Sequence, residues 1–216
     1  EENHCSQRCS EGNTVMEQGS TEWFAARLGK VTGSRIADVL STGTGRETYM
    51  AQLVVERITG KPIEMYSNSA MQWGTETEPL ARASYEIKKG VFVDEVGSIP
   101  HPSIPMAAAS PDGLVGDDGL VEIKCPNTST HIDTLLGAKI KTGYLYQMQF
   151  QMVCTGRKWC DFVSFDPRME EGLQLHIRHV PYDQTSVTKI EEGIQKFLKE
   201  LDDKMKKLTK LKVNNG

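Results

Sequence analysis

An α/β fold, a central mixed β-sheet flanked by helices, is what the sequence predicts. Two observations carry this. Segments with apolar residues at spacings of three and four alternate with short runs rich in β-formers. A turn-like stretch, Gly116-Asp117-Asp118-Gly119, separates two apolar runs that suit a hairpin. At 216 residues with no shift in composition, the chain reads as one domain over residues 15–212 with a single core. Hydrophobic content of 38% and charged content of 25% fit a soluble globular protein. No apolar run approaches the roughly 20 residues needed to span a membrane, and nothing resembles a secretory leader. The cytoplasm, of a bacterium or a phage-infected host, is the expected location.

Taken in order, residues 1–14 are polar and lack periodicity, as in a flexible arm or a tag-like remnant. Ser20 is placed to cap a short helix carrying Glu22, Trp23 and Phe24, with Gly29 as its stop. Thr32 or Ser34 is expected to cap a second helix through Ile36, Val39 and Leu40. A third runs from about Arg46 to Thr59 with Met50, Leu53, Val54 and Ile58 inward, closed by Gly60. The Trp73–Lys89 region reads as a helix closed by Gly90, with Pro79 expected in its first turn, where a missing N–H costs least. Val91 to Ile99 reads as a strand. Beyond the hairpin, Thr128 or Ser129 is expected to cap a helix reaching about Lys139, and Tyr144 to Val153 reads as another. Trp159–Phe165 and Leu173–Val180 are two more strands. The spacing of Val187, Ile190, Ile194, Phe197, Leu201, Met205 and Leu208 predicts a long amphipathic helix.

Five cysteines, an odd number spread along the chain, do not form a disulfide framework. Cys125, Cys154 and Cys160 are expected as buried thiols. His4-Cys5 and Cys9 lack a second pair at zinc-ligand spacing.

The chemistry concentrates in the hairpin. Side chains alternate along a strand, so Glu122 and Lys124 share one face while Ile123 points into the core. A hairpin would bring Asp112 beside Glu122. Two carboxylates with a nearby amine can hold a hard cation such as Mg2+, whose shell is completed by phosphate and water. Phosphodiester hydrolysis needs those parts. Asp112 and Glu122 are therefore the candidate metal ligands, the backbone carbonyl of Ile123, between the Glu122 and Lys124 side chains, is placed to complete the shell, and Lys124 is the group to orient water or help remove its proton. Arg27 with Thr32 and Ser34 places a guanidinium and two hydroxyls next to an expected helix N-terminus, whose free amides and positive dipole end suit a phosphate.

Pro-Asp followed some ten residues later by Glu-x-Lys matches the PD-(D/E)xK nuclease signature. Wider motifs occur in a fixed order: Gln18-Gly19-Ser20-Thr21-Glu22-Trp23, Arg27-Leu28-Gly29-Lys30-Val31-Thr32-Gly33-Ser34, Trp73-Gly74 with Glu78, Ser110-Pro111-Asp112-Gly113-Leu114, Glu122-Ile123-Lys124-Cys125-Pro126, Tyr146-Gln147-Met148-Gln149 and Phe165-Asp166-Pro167-Arg168-Met169. From about Met16 to about Pro181 the chain resembles the lambda exonuclease family of phage recombination nucleases. That resemblance implies a restriction-endonuclease-like core and a Mg2+-dependent 5′ to 3′ exonuclease on double-stranded DNA ends, with Mn2+ as a substitute and two ions per site. It implies that Glu78 helps hold metal, and that Arg27, Thr32, Ser34, Ser110 and Gln147 grip the 5′-phosphate. Met71 would wedge between bases at the unpairing end. It further implies a homotrimeric ring and a single-strand annealing recombinase as partner. Two other readings of the same residues stay open, a structure-specific endonuclease or resolvase and a non-catalytic DNA-end-binding module. The net charge of −4 offers no general basic surface for DNA, so basic groups must gather in a cleft. Lys196 to Lys212 holds seven lysines against three acids, the ordinary outer face of an amphipathic helix.

Overall fold

Ser20 accepts a hydrogen bond from the amide of Trp23 and starts α1 (Thr21–Arg27), satisfying an amide that the helix itself leaves free. The computed structural model describes residues 18–63 and 68–214; the 1–14 arm and the His4-Cys5 and Cys9 group lie outside the described residues. Gly29, at φ +68°, turns the chain into β1 (Val31–Thr32). The expected cap of the second helix is corrected here. Thr32 makes no side-chain capping bond, Ser34 lies inside a 3-10 turn, and α2 (Ile36–Leu40) starts behind Arg35. Such a short helix carries little dipole, so backbone geometry and side chains must do what a helix end was expected to do.

α3 (Thr44–Thr59) starts from Gly43 and ends on Gly60 at φ +67°. Met50, Leu53 and Val54 are buried, but Ile58, expected beside them, is 56% exposed. It sits in the last turn, where neighbouring Arg57 already reaches the solvent edge to pair with Asp202.

α4 (Ser69–Lys89) is capped by Asn68, which accepts from the amide of Met71. Because the helix begins four residues before Trp73, Pro79 falls mid-helix and not in the first turn. The ring removes one helical hydrogen bond. Burial of Thr77, Ala81 and Tyr85 on the opposite side holds the helix together, and Pro79 itself faces solvent. The single strand expected over Val91–Ile99 is instead two pieces, β2 (Val93–Asp94) and β3 (Ile99–Pro100), in different sheets. Between them Glu95 is drawn to Arg82, which takes the chain off the first sheet before it reaches the second.

β1 and β3 flank β4 (Ala107–Ala109) in a three-stranded sheet. The main sheet runs β2, β5 (Gly113–Val115), β6 (Gly119–Lys124), β7 (Trp159–Phe165), β8 (Leu175–Pro181). β6 and β7 are parallel and the other pairs antiparallel, the expected mixed sheet. The β5–β6 turn uses Gly116 at φ +52°. Gly119 is needed for a different reason, since a Cβ there would meet the Trp159 ring at 2.1 Å.

α5 (Thr128–Leu135) is capped by Asn127, not by Thr128 or Ser129, and stops short of Lys139 because Gly137 turns at φ +95°. α6 (Thr142–Thr155) and α7 (Gln184–Asn214) follow. α4 covers one sheet face, packing Ala81 and Tyr85 on Val121, Ile123, Val163 and Phe165. α6 covers the other with Met148 and Met152 on Leu120, Cys160 and Phe162. The far side of α6 offers Phe150 and Cys154 to Ile36, Val39, Met50, Leu53, Ile190, Ile194, Phe197 and Leu201. Helix α6 is thus buried nearly all round, which explains its apolar run. α7 outruns this core: Leu201 is buried, Met205 partly so and Leu208 is exposed. Cys154 and Cys160 are buried thiols, whereas Cys125 is only half-buried. Among the described residues no helix is long and apolar enough to cross a membrane.

Candidate active site

The hairpin register sets the site. Gly113 pairs with Val121, so Asp112, the residue before β5, stands across from Glu122. Its Oδ2 accepts the backbone amide of Ile123 at 2.7 Å. Ile123 turns its own side chain to the opposite face, beneath α4. Glu122 is completely buried and its two carboxylate oxygens are fully engaged. Oε1 accepts from Gln147 Nε2 at 2.6 Å and Oε2 from Gln151 Nε2 at 2.6 Å, and the Lys124 ammonium pairs with Oε1. The side chain of Lys124 is 26% exposed and its Nζ lies 5.3 Å from the centre of the Tyr144 ring.

Electrostatics follow from this crowding. Burial, and then the Glu122 charge, push the Asp112 carboxyl well above the usual carboxylate range. Burial opposes the charge on Lys124, but Glu122 and Asp112 outweigh it and hold the ammonium above its ordinary value. Glu78 on α4 is raised by burial against the pull of Arg82 and Lys124, and its Oε1 accepts from Arg82 at 2.8 Å. The thiol of Cys125, just past the strand, is pushed up to about 12 by burial and then by Glu78 and Asp112. Among the described residues, no three His, Cys, Asp or Glu side chains form a ready-made metal cage. The donor set nonetheless fits a hard cation that brings its own water and substrate oxygens: two carboxyl groups, one just before β5 and one on β6, stand beside a single lysine.

Ser110, two residues before Asp112, ties this centre to the Arg27 region. Its hydroxyl accepts from Arg27 Nη1 at 2.8 Å and from the Trp23 indole at 3.1 Å. Arg27 stacks on Trp23, 3.9 Å from the ring centre, and burial lowers its pKa to about 10. Arg27, Thr32 and Ser34 line a cleft of about 350 Å3 with Trp23, Arg35 and Tyr49. Thr32 is buried, its amide donating to the Tyr49 hydroxyl at 3.0 Å, while Ser34 is exposed. Asp112 and Glu122 do not line that cleft. Gln147 bridges the two regions: its amide is on Glu122, and its Cγ lies 3.8 Å from where a Cβ on Gly33 would be. Met71 is 47% exposed on the first turn of α4.

Sequence reasoning missed three residues. Gln151 lies one turn beyond Gln147, a spacing that puts both amides on one face and was the available signal. Arg82 clamps Glu78. Arg168 pairs with buried Asp166 at 2.7 Å, donates to the Pro126 carbonyl, and covers Trp73 at 4.4 Å. No local pattern announces that contact.

The fold has a PD-(D/E)xK-like core, and the relatives that share it make the chain a nuclease, a hydrolase. The YqaJ-like viral recombinase domain matches residues 22–158. An alkaline exonuclease (LHK-Exo) from Laribacter hongkongensis is 50% identical, with a TM-score of 0.87 over 91% of this chain and 100% of that one. LHK-Exo in complex with dAMP superposes with a TM-score of 0.88 at the same identity and coverage. A phage-related exonuclease from Haemophilus somnus 129PT shares the fold at a TM-score of 0.69 with 16% identity, covering 83% of this chain and 96% of that one. An uncharacterized protein, R354, of Acanthamoeba polyphaga mimivirus is 26% identical over 165 residues, 69% of this chain; the chain spans only 29% of that relative's length. The chain belongs to the YqaJ-like viral recombinase family, among the nucleases of the lambda exonuclease type.

Proposed function

We propose that the chain is a Mg2+-dependent exonuclease that degrades the 5′-ended strand of double-stranded DNA in the 5′ to 3′ direction, releasing mononucleotides and leaving a 3′ overhang for strand annealing. The observation that carries this reading is the short bridge between the two halves of the site. Ser110 bonds Arg27, and two residues later Asp112 faces Glu122 and Lys124.

Asp112, Glu122 and the Ile123 carbonyl would hold one Mg2+, with Mn2+ able to replace it, and Glu78 would help hold a second. The ion would supply Lewis acidity and a lowered pKa for water. Gln147 and Gln151 fix the carboxylate of Glu122, so it does not have to reorganise during reaction. Lys124, paired with Glu122, orients the attacking water or donates a hydrogen bond to a phosphate oxygen, and its charge balances the negative charge that builds there. Arg27, with Ser110, Thr32 and Ser34, holds the terminal phosphate, and Gln147 sits between that pocket and Glu122. A fixed distance between phosphate pocket and carboxylates makes the first linkage behind the end the one that is cut. Met71, exposed at the start of α4, is the proposed wedge that unstacks the end, at a cost of a few kcal/mol per step.

By the same resemblance the enzyme works in the cytoplasm as a homotrimeric ring that keeps hold of duplex DNA, beside a single-strand annealing recombinase that loads on the exposed tail. The test compares linear duplex carrying 5′-phosphate, linear duplex carrying 5′-hydroxyl, and closed circles, with Mg2+ and with chelator. The proposal expects Mg2+-dependent mononucleotide release, fastest from 5′-phosphate ends, with circles intact. Nicked circles would favour the endonuclease reading, and binding without any cleavage the non-catalytic module.

A further inference from the structure

The catalytic face of the sheet continues past Glu122 and Lys124 to an edge whose exposed charges are basic. Across β6, β7 and β8 the register places Glu122 beside Phe162 and Phe162 beside Arg178; one row on, Lys124 pairs with Ser164 and Ser164 with His176. Paired residues point to the same face, and two strand spacings amount to roughly 10 Å. Arg178 and His176 therefore lie on the Glu122 side, at the sheet's edge.

Over that edge passes the link between α5 and α6. Arg178 Nη1 donates to the Ala138 carbonyl at 2.9 Å, pinning the link to β8. Ile140 packs partly into the core beside Leu120 and Phe162, while Lys139 and Lys141 on either side of it are exposed. The partly buried isoleucine thus displays two lysines outward. Lys141 Nζ is 5.9 Å from the Tyr144 ring centre, and Lys124 Nζ is 5.3 Å from the same ring. Tyr144 in turn stacks on Phe162. One aromatic ring joins the catalytic lysine to the basic link. From Asn127 to Lys158 the only acid is Asp133, and β8 has none, in a chain whose net charge is −4.

We propose that Lys139, Lys141 and Arg178, with His176, form a track for the phosphodiester backbone of DNA leading away from the Lys124 side of the active site. The inference rests on the nuclease reading above. Roughly 10 Å of sheet matches the axial rise of about three nucleotides of one strand. Phosphates just beyond the scissile bond would meet the charges of Lys139, Lys141 and Arg178, while His176, held below its ordinary value by burial and then by Arg178 and His131, offers a hydrogen-bonding imidazole and no charge; together they give an otherwise acidic protein a local hold on its substrate. Contacts of this kind are independent of base sequence and sensitive to salt.

The test is the salt dependence of duplex binding, measured by fluorescence anisotropy in chelator so that no strand is cut. Each phosphate contact removed lowers the slope of log affinity against log salt by about 0.9. The double change Lys139→Gln with Lys141→Gln should reduce the slope by about 2 and weaken binding at every salt concentration, with an unchanged circular dichroism spectrum. Lys206→Gln with Lys210→Gln, on the outer end of α7, should leave the slope as it was. An unchanged slope in the Lys139 and Lys141 variant, while the unaltered protein binds, would overturn the track and leave the nuclease reading standing. A slope lost only in the α7 variant would do the same. Absence of duplex binding by the unaltered protein would overturn both.

Discussion

The Glu122 carboxylate makes three polar contacts within a completely buried setting, with Gln147, Gln151 and Lys124. A buried charge is tolerated only when its lone pairs are satisfied. The two glutamines are therefore as much a part of the centre as the lysine. Replacing Lys124 by alanine should lower cleavage about 100- to 1,000-fold, on the order of the loss of other groups that stabilise transition-state charge, while duplex binding measured by anisotropy persists. Full activity in that variant would remove Lys124 from the mechanism. Gln151→Leu should cost roughly 10- to 100-fold in activity and shift its Mg2+ requirement to higher concentration in parallel, as loss of groups that orient ligands does; titration of activity against Mg2+ reads both effects. Of this site, the sequence made Asp112, Glu122 and Lys124 legible, because strand alternation and a tight turn dictate which side chains meet. Gln147 was visible only through its motif. Gln151 went unread although its spacing of one turn from Gln147 puts both amides on the same helix face.

Elements were legible where local rules decide them. The hairpin, α1 with its Ser20 cap, β7 and the amphipathic length of α7 all follow from turn chemistry, capping and periodicity. Elements fixed by distant contacts were not. Pro79 sits mid-helix because packing of Ala81 and Tyr85 outweighs one lost hydrogen bond, and Val91–Ile99 divides because its two halves belong to different sheets. The Arg168 contact belongs to this scale too, since it joins the ends of β6 and β7 to the first turns of α4 through Pro126, Asp166 and Trp73. Arg168→Ala should loosen α4, which carries Met71 and Glu78. Hydrogen exchange in residues 69–78 is expected to speed up more than exchange in α6, and equal protection in both would contradict the latch. Burial would raise the Asp166 carboxyl, but hydrogen bonds from Arg168 and Thr128 overcome it and bring it down to about 2. A folded value below the unfolded one, about 3.9, means stability present above pH 4 and lost as pH falls through about 2. The Tm advantage of the unaltered protein over Asp166→Asn should accordingly shrink between about pH 4 and pH 2.

For the whole molecule, net charge and surface are poor guides and arrangement is the informative property. A chain of net charge −4 places Arg27, Lys124, Lys139, Lys141 and Arg178 around one side of its sheet and one cleft, where field lines concentrate. Its core is built around α6, which packs the main sheet on one side and α2, α3 and α7 on the other. Opening a cavity there by Phe197→Ala should destabilise the fold by about 3–5 kcal/mol, measurable by urea unfolding, and a loss under 1 kcal/mol would show that the α7 layer is dispensable. The central claim is that the carboxylates of the hairpin cut at a fixed distance from a held 5′-phosphate. The most direct measurement is a time course on one linear duplex, labelled in separate samples at the 5′-phosphate and at the 3′ end, with the unaltered protein and with Arg27→Ala. The account predicts that the 5′ label leaves at once as a mononucleotide while the 3′ label stays in long strands, and that Arg27→Ala slows the first release. Early release of the 3′ label, or of the 5′ label in fragments longer than a mononucleotide, would contradict it.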